Sequence, residues 1–336
     1  VTRTAPLLGA LLLISAGCHE VTEYTDSGEF GAVVMDATDL TVQGYVAGME
    51  GAGTLVSMEG SRFLVGTATG WIHEVDSGEL RIIRSKQVSA GGASALGGLT
   101  RAPVGGSVYA LTGGQKLLEI DPDGLDVLDE FTAGPSPSDI CRSPQAEARL
   151  YIVDQGDARL RELSVSDNQV NWEHDLPPSP LAAAVHSADP PILLIAHGDD
   201  GGLTALRLDW MGDAVMSVDG SFSDVVSAPE DTVLCAAEPR WGSDSGRLFL
   251  ARVGWPSLFE FETASLGVEG NPACVCVNSN LTRPYFYAAC ADGDVTRVVM
   301  VNYRTWEIEG TAEVDGYPMD ISSHDGGTRL VVLTAL

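Results

Sequence analysis

Carboxylates, with one imidazole and two guanidinium groups, occur in the short glycine-bearing segments that separate the apolar runs of this chain. "DQGDAR" holds Asp154 and Asp157, "HGDDGG" holds His197, Asp199 and Asp200, and "ADGDV" holds Asp292 and Asp294. Aspartates gathered on one face would form a negative rim, which suits a divalent cation or a basic partner. Tight turns also require Asp and Gly for conformational reasons, so turn chemistry competes with that reading. "RVGWPS" adds Arg252 and Trp255, and Trp71 closes "TATGW"; an indole in a loop can anchor a ligand or pack between elements. His197, Arg252 and Asp154 form the one loop set that offers a base, a cation and an acid for hydrolysis. The signatures of zinc proteases, serine hydrolases and phosphate loops do not occur. "DPDGLD" at Asp121 resembles the start of a calcium loop but lacks the later glutamate, and is expected to be an Asx turn. No cofactor is expected, a divalent cation stays open as a ligand, and the balance favours a protein that binds rather than catalyses.

The bulk composition narrows the partners. Lys and Arg number 19 against 47 Asp and Glu, for a net charge of −28, so the cationic surface that neutralises phosphates is missing and nucleic acid is excluded as an expected partner. The 38 glycines and 17 prolines are spread through the chain, as many short strands joined by tight turns would require.

The amino terminus differs from the rest. Residues 1–17 carry one basic residue, Arg3, and then an uncharged, largely apolar run ending in small residues. The run is short for a membrane span and has the layout of a secretory signal. Val1 is read as a translation start, so the sequence is expected to be an unprocessed precursor. Ser15-Ala16-Gly17-Cys18 resembles the bacterial lipoprotein signal box, which implies lipidation of Cys18; an ordinary signal peptide with an incidental cysteine is the alternative. Several acyl chains on Cys18 would anchor the protein firmly. His19 after the cysteine resembles the outer-membrane sorting pattern, and the polar, acidic residues 18–30 read as a flexible tether.

What must position the loops is a repeat. Buried-strand runs "RFLVGT", "SVYALT", "RLYIVD", "ILLIAH", "RLFLAR", "YFYAAC" and "RLVVLT" form one series, taken as strand b of seven units. A second, alternating series taken as strand c follows six of them, from "IHEVDSGEL" to "RVVMVNYRTW"; "AVVMDATDL" at Ala32 has the same pattern and no predecessor. The turn positions Asp36, Asp76, Asp121, Ser164, Asp209, Glu262 and Asn302 recur at intervals of 40 to 53 residues. That period, with four short strands per unit, predicts an all-β, seven-bladed β-propeller over residues 31–336. "PSDIC", "PLAAA", "PACVC" and "PMDIS" mark the entry to strand a. The last blade then takes strands a and b from Pro318 to Leu336 and strands c and d from Gly31 to Gly48, so the two ends close the ring. Blade five is irregular, with a long d–a connection, "GSFSDVVSAPED", and a long a–b loop, "EPRWGSDSG".

"ARLYIVDQ" followed by "LRELSVSDNQV" and "PSP" resembles the bacterial YVTN-type β-propeller repeat family, whose relatives include surface-layer-like proteins and seven-bladed lactonases. The resemblance implies a fold with a ligand face built from the b–c and d–a loops; it transfers architecture better than chemistry. The resulting expectation is a lipid-anchored, non-catalytic binding or assembly module facing the periplasm or cell surface. Its partner would be an envelope protein or polymer rather than a small-molecule substrate. A lactonase-like or other metal-assisted hydrolase with a site in the channel, and a surface-layer-like structural component, are the alternatives.

Five cysteines follow Cys18: Cys141, Cys235, Cys274, Cys276 and Cys290. If "CVCVNSNLTRPYFYAAC" is a hairpin turning near residues 281–282, Cys274 falls nearly opposite Cys290 and a bridge competes with two buried thiols. His186 and His324 are expected at matching a–b turns on the opposite face, and Asn280, a sequon by pattern, in the hairpin turn.

Overall fold

The computed structural model describes residues 31–336 apart from 91–95, 103–105, 144–147, 168, 187–190, 200, 209–213, 229–232, 241–242, 254–260 and 281. The signal-like segment, Cys18 and the tether lie outside the described residues. Seven antiparallel sheets of four strands each make a seven-bladed propeller. Strands Ala52–Ser57, Leu96–Arg101, Pro137–Arg142, Pro180–His186, Asp224–Ala228, Asn271–Val277 and Tyr317–His324 are strand a of blades one to seven. Each is the innermost strand of its sheet and meets strand a of the neighbouring blades around the channel.

Burial follows position in the blade. Strand b has sheets on both sides and blades on both faces, so it is apolar without alternation: Arg149–Asp154 is buried from its second residue onward. Strand d is the rim, and Arg81–Gln87 alternates half-buried with exposed residues along its length. The core is divided among the blade junctions: Phe63, Val65, Val331 and Leu333 fill the wedge between blades seven and one, and Val33, Tyr287, Met300 and Val332 the wedge between six and seven.

The ring closes as the sequence predicts. Gly31–Asp36 pairs antiparallel with Arg329–Ala335, from Gly31 opposite Thr334 to Asp36 opposite Arg329, in a sheet completed by Val42–Val46 and Tyr317–His324. Pairing of remote segments leaves no open sheet edge at the join.

The c–d turns have a common build. In the turns that start at Asp36, Asp121 and Asn302, the side chain of that residue accepts the N–H two residues on. An apolar residue four positions on (Leu40, Leu125, Trp306) takes a positive φ of 55–61° and donates its N–H to the first residue's carbonyl. "DPDGLD" is therefore an Asx turn, as expected.

Blade five corrects the sequence reading. "RLFLAR" lies in strand c, Ser245–Val253, and not in strand b; strand b is Val233–Glu238, and strand a is Asp224–Ala228, inside the stretch read as a long d–a connection. The repeat was followed by its most apolar run, and in this blade strand c is as apolar as strand b. "EPRWGSDSG" consequently belongs to the b–c connection on the loop face.

The Cys274–Cys290 bridge is not formed, and all five described cysteines are free thiols. A register shift between Pro272 and Cys274 sets Cys290 opposite Pro272 and Cys274 opposite Ala289. Cys274 then packs with Cys276 in the wedge between blades six and seven, while Cys290 packs with Cys235 in the wedge between five and six. The two thiols point to opposite faces of one sheet, out of bridging reach.

Candidate functional site

The loop face is where strand b ends and strands a and c begin. In blade three, Asp154 closes strand b (Arg149–Asp154) and is fully buried. It accepts hydrogen bonds from the backbone N–H groups of Gly156 at 2.8 Å and Ser136 at 3.1 Å, and from Arg161 Nη1 at 2.7 Å. Arg161 spends its other donors on Glu173, at 2.9 Å, and on Asp157. Burial disfavours the Arg161 charge, but the bonds to Asp157 and Glu173 outweigh it and hold the guanidinium more firmly protonated than usual. Gly134 passes over this cluster with φ of 128°, and a β-carbon there would lie 1.7 Å from Asp154 Oδ2. Only glycine fits.

Blade six repeats the arrangement nearer to solvent. Arg297 contacts Glu269 at 2.7 Å, Glu313 at 2.8 Å and Asp292 at 3.1 Å. In blade five Arg247 pairs with Glu238 at the end of strand b. Arg161, Arg247 and Arg297 are each the third residue of strand c. Sequence reasoning noticed the aspartates and missed the arginines that neutralise them, although that shared strand position is legible once the strands are aligned.

The remaining candidates separate. His197 is fully buried, its Nδ1 3.2 Å from the Pro178 carbonyl oxygen, and burial lowers its pKa more than the Pro178 and Pro177 carbonyls raise it. Asp199 is exposed and accepts the Ser179 hydroxyl at 3.0 Å, while Asp294 is exposed with its backbone carbonyl bonded to Gly316 N–H. Arg252 is on the other face. It ends strand c of blade five, pairs with Glu262 at 2.9 Å and lies 5.3 Å over the Trp306 ring in the c–d turn of blade six. The set of His197, Arg252 and Asp154 is therefore not assembled, because the strand shift in blade five carries Arg252 to the wrong end of its sheet. Asp200 and Trp255 lie outside the described residues.

Exposed apolar side chains gather at one point of the loop face. Tyr317 opens strand a of blade seven with 44% of its surface exposed, Met319 follows at 38%, and Leu336, just past Ala335, which pairs with Tyr317, is 45% exposed. Trp71, at the loop-face end of strand c in blade one, is also exposed and stacks on His73 at 6.4 Å between ring centroids. His73 in turn lies 2.7 Å from the Ser85 hydroxyl.

The channel carries a second set of groups that the sequence reading passed over. Asp139, Asp224 and Asp320 occupy matching places in strand a of blades three, five and seven. Oδ1 of each accepts the N–H of the following residue, Ile140, Val225 or Ile321, at 2.7 Å. Oδ2 crosses to strand a of the next blade and accepts the N–H of Ala183 at 2.8 Å, Val275 at 2.8 Å and Leu55 at 2.7 Å. In blades three and seven the aspartate follows a register shift and lies two residues after a proline, Pro137 or Pro318, which turns its side chain along the junction. The preceding serines add a bond across the same junctions: Ser138 Oγ donates to the Pro180 carbonyl and Ser223 Oγ to the Pro272 carbonyl, both at 3.1 Å. "SPSDI" at Ser136 and "SFSDV" at Ser221 share this pattern in sequence.

Fold and site together define a closed seven-bladed β-propeller. The chain is similar in structure to a hydrazine synthase of Kuenenia stuttgartiensis, with a TM-score of 0.69 and 13% identity over 85% of this chain and 96% of that one. It is also similar to the Cps50 (Swd1) β-propeller domain of Myceliophteria thermophila, with a TM-score of 0.64 and 10% identity over 85% of this chain and 97% of the other. At these identities the likeness is one of fold. The sequence matches no family model and no curated protein.

Proposed function

We propose that the chain is a non-catalytic binding or assembly module of the bacterial cell envelope, held to the membrane by a lipidated Cys18. It recognises an envelope protein or polymer through its b–c and d–a loops. The observation that carries this reading is the exposed apolar cluster of Tyr317, Met319 and Leu336 on the loop face. A flexible lipid tether would deliver such a face to partners at the membrane, and a contact patch that combines exposed aromatic and methionine side chains with a polar rim is the usual make-up of a recognition surface. Exposed Asp294 and Asp315 supply that rim, so the partner presents an apolar anchor among basic groups. Three of the loop-face acids are already paired, Asp154 and Asp157 with Arg161 and Asp292 with Arg297.

The test is crosslinking followed by mass spectrometry of the protein extracted from its native membranes, beside Cys18→Ser and Tyr317→Ala/Met319→Ala forms. The reading expects one envelope component crosslinked to the b–c and d–a loops, lost from the Cys18→Ser form through release from the membrane and from the double variant through loss of the patch. A partner that survives the double variant moves the contact elsewhere. Recovery of the bare monomer from every sample overturns the reading.

A further inference from the structure

The three channel aspartates are placed so that no two adjacent blades both contribute one. At the matching strand a position, blades one, two, four and six carry Thr54, Gly98, Ala182 and Cys274. Gly98 is part of the fit, since a β-carbon on it would meet Ile140 at 3.3 Å and Asp139 Oδ1 at 3.5 Å. The carboxylates thus bridge three separate junctions: three to four, five to six and seven to one.

Each bridge has two opposed consequences. An ionised carboxylate is the stronger acceptor for its two N–H groups. Three ionised, half-buried carboxylates around one channel also repel one another and lose part of their hydration. The charged groups that act on them do not offset this. Among the largest influences, Asp224 feels Asp139 and Asp320, and Asp320 feels Asp139 and a hydrogen bond from Thr54 that lowers it, with no Lys, Arg or His ranked beside them. The other titratable neighbours are thiols: Cys141 beside Asp139, and Cys235, Cys274 and Cys276 beside Asp224 and Asp320. Burial raises every one of these thiols above its ordinary value, so they stay neutral.

We propose that Asp139, Asp224 and Asp320 form a proton-responsive tensioner of the ring: ionised, they clamp alternate junctions but load the channel with unbalanced negative charge, and proton uptake releases that load and stabilises the closed propeller. Burial dominates over the backbone N–H donors and pushes Asp139 up to about 6 and Asp320 up to about 7, with Asp224 raised well above the usual carboxylate range. A carboxyl that is raised in the folded state favours folding when protonated. Its contribution is complete below the unfolded value near 3.8 and is lost as pH rises through about 6 to 7. The device therefore operates across the near-neutral range, where ordinary surface carboxylates are silent.

The test is thermal unfolding of the full chain between pH 5 and pH 8, for wild type and for Asp139→Asn, Asp224→Asn, Asp320→Asn and the triple variant. Asparagine keeps one acceptor and removes the charge, so any loss of hydrogen bonding is a constant offset and the slope against pH reports the device. Whatever the remaining groups add to both profiles, the difference in melting temperature between wild type and the triple variant is expected to shift steadily in favour of the variant from pH 5 to pH 8. Parallel profiles for all forms overturn the proposal. Should the variants fail to fold, carbon-13 titration of the aspartate carboxyls in the unaltered chain decides: resonances with midpoints near pH 6 to 7 support it, and midpoints confined below about 4.5, the ordinary carboxylate range, overturn it.

Discussion

The phenolic hydroxyl of Tyr287, buried in blade six, donates to the backbone carbonyl of Ala37, 2.5 Å away and 250 residues distant in sequence. The same oxygen accepts Asn278 Nδ2 at 2.7 Å, and Nδ2 also reaches the Gly327 carbonyl at 3.3 Å. Ala37 and Gly327 belong to the two separate segments that make blade seven, so one side chain network ties both to blade six. Tyr287→Phe leaves the Ala37 carbonyl and one Asn278 donor without their partner inside the protein. The expected cost is about 1–3 kcal/mol, read as a lower urea midpoint with an unchanged denaturant slope.

Arg161 and Arg297 occupy the same strand position, yet their removal should differ in cost. Asp154 is fully buried beside Arg161, and Arg161→Met strands its charge, so a loss of about 3–5 kcal/mol is expected. The acids around Arg297 keep 40–76% of their side-chain surface in water, and Arg297→Met should cost about 1 kcal/mol or less. Chemical denaturation of the two variants side by side checks the contrast, and equal losses would mean that water reaches Asp154.

Removal of residues 31–48 takes away strands c and d of blade seven and bares the edge of Arg329–Ala335. Leu330, Val331, Val332 and Leu333, all fully buried in the closed ring, are then partly uncovered. An unpaired apolar edge seeks another chain. Size-exclusion chromatography with light scattering should show concentration-dependent association of the shortened protein, and a synthetic peptide of residues 31–48 should reduce it.

The architecture was legible because burial on both faces of strand b imposes a run of apolar residues that alternation cannot mimic, and because the c–d turns reuse an aspartate or asparagine. The same criterion failed in blade five. Leu248, Leu250 and Ala251 make strand c as buried as a strand b, and the better guide was "SFSDV" at Ser221, the partner of "SPSDI" at Ser136. The site was less legible. Loop aspartates are visible in one sequence, but whether Asp154 faces solvent depends on Arg161, seven residues away, and whether Asp320 is clamped depends on Leu55, 265 residues away. Pairings of that kind are set by strand register and ring closure, which local composition does not encode.

His186 and His324 end strand a of blades four and seven on the face opposite the loops, at the matching positions that the sequence suggested, and both are almost fully buried. His186 Nδ1 contacts the Ser227 hydroxyl of the next blade, and His324 lies edge-on to Phe63 at 5.7 Å. Burial pushes both imidazoles down to about 4. A histidine depressed in the folded state favours folding while neutral, so its contribution is complete above the unfolded value near 6.5 and is lost as pH falls through about 4. This is opposite in sign to the effect of the channel aspartates and overlaps their window, so the two partly cancel between about pH 4 and pH 6.5. In His186→Gln/His324→Gln the constant cost of repacking lowers the whole curve, and the deficit relative to wild type should shrink as pH falls from about 6.5 to about 4. Melting temperatures across that range check it, and a deficit that does not change with pH would mean that both rings take up their protons without disturbing the blade junctions.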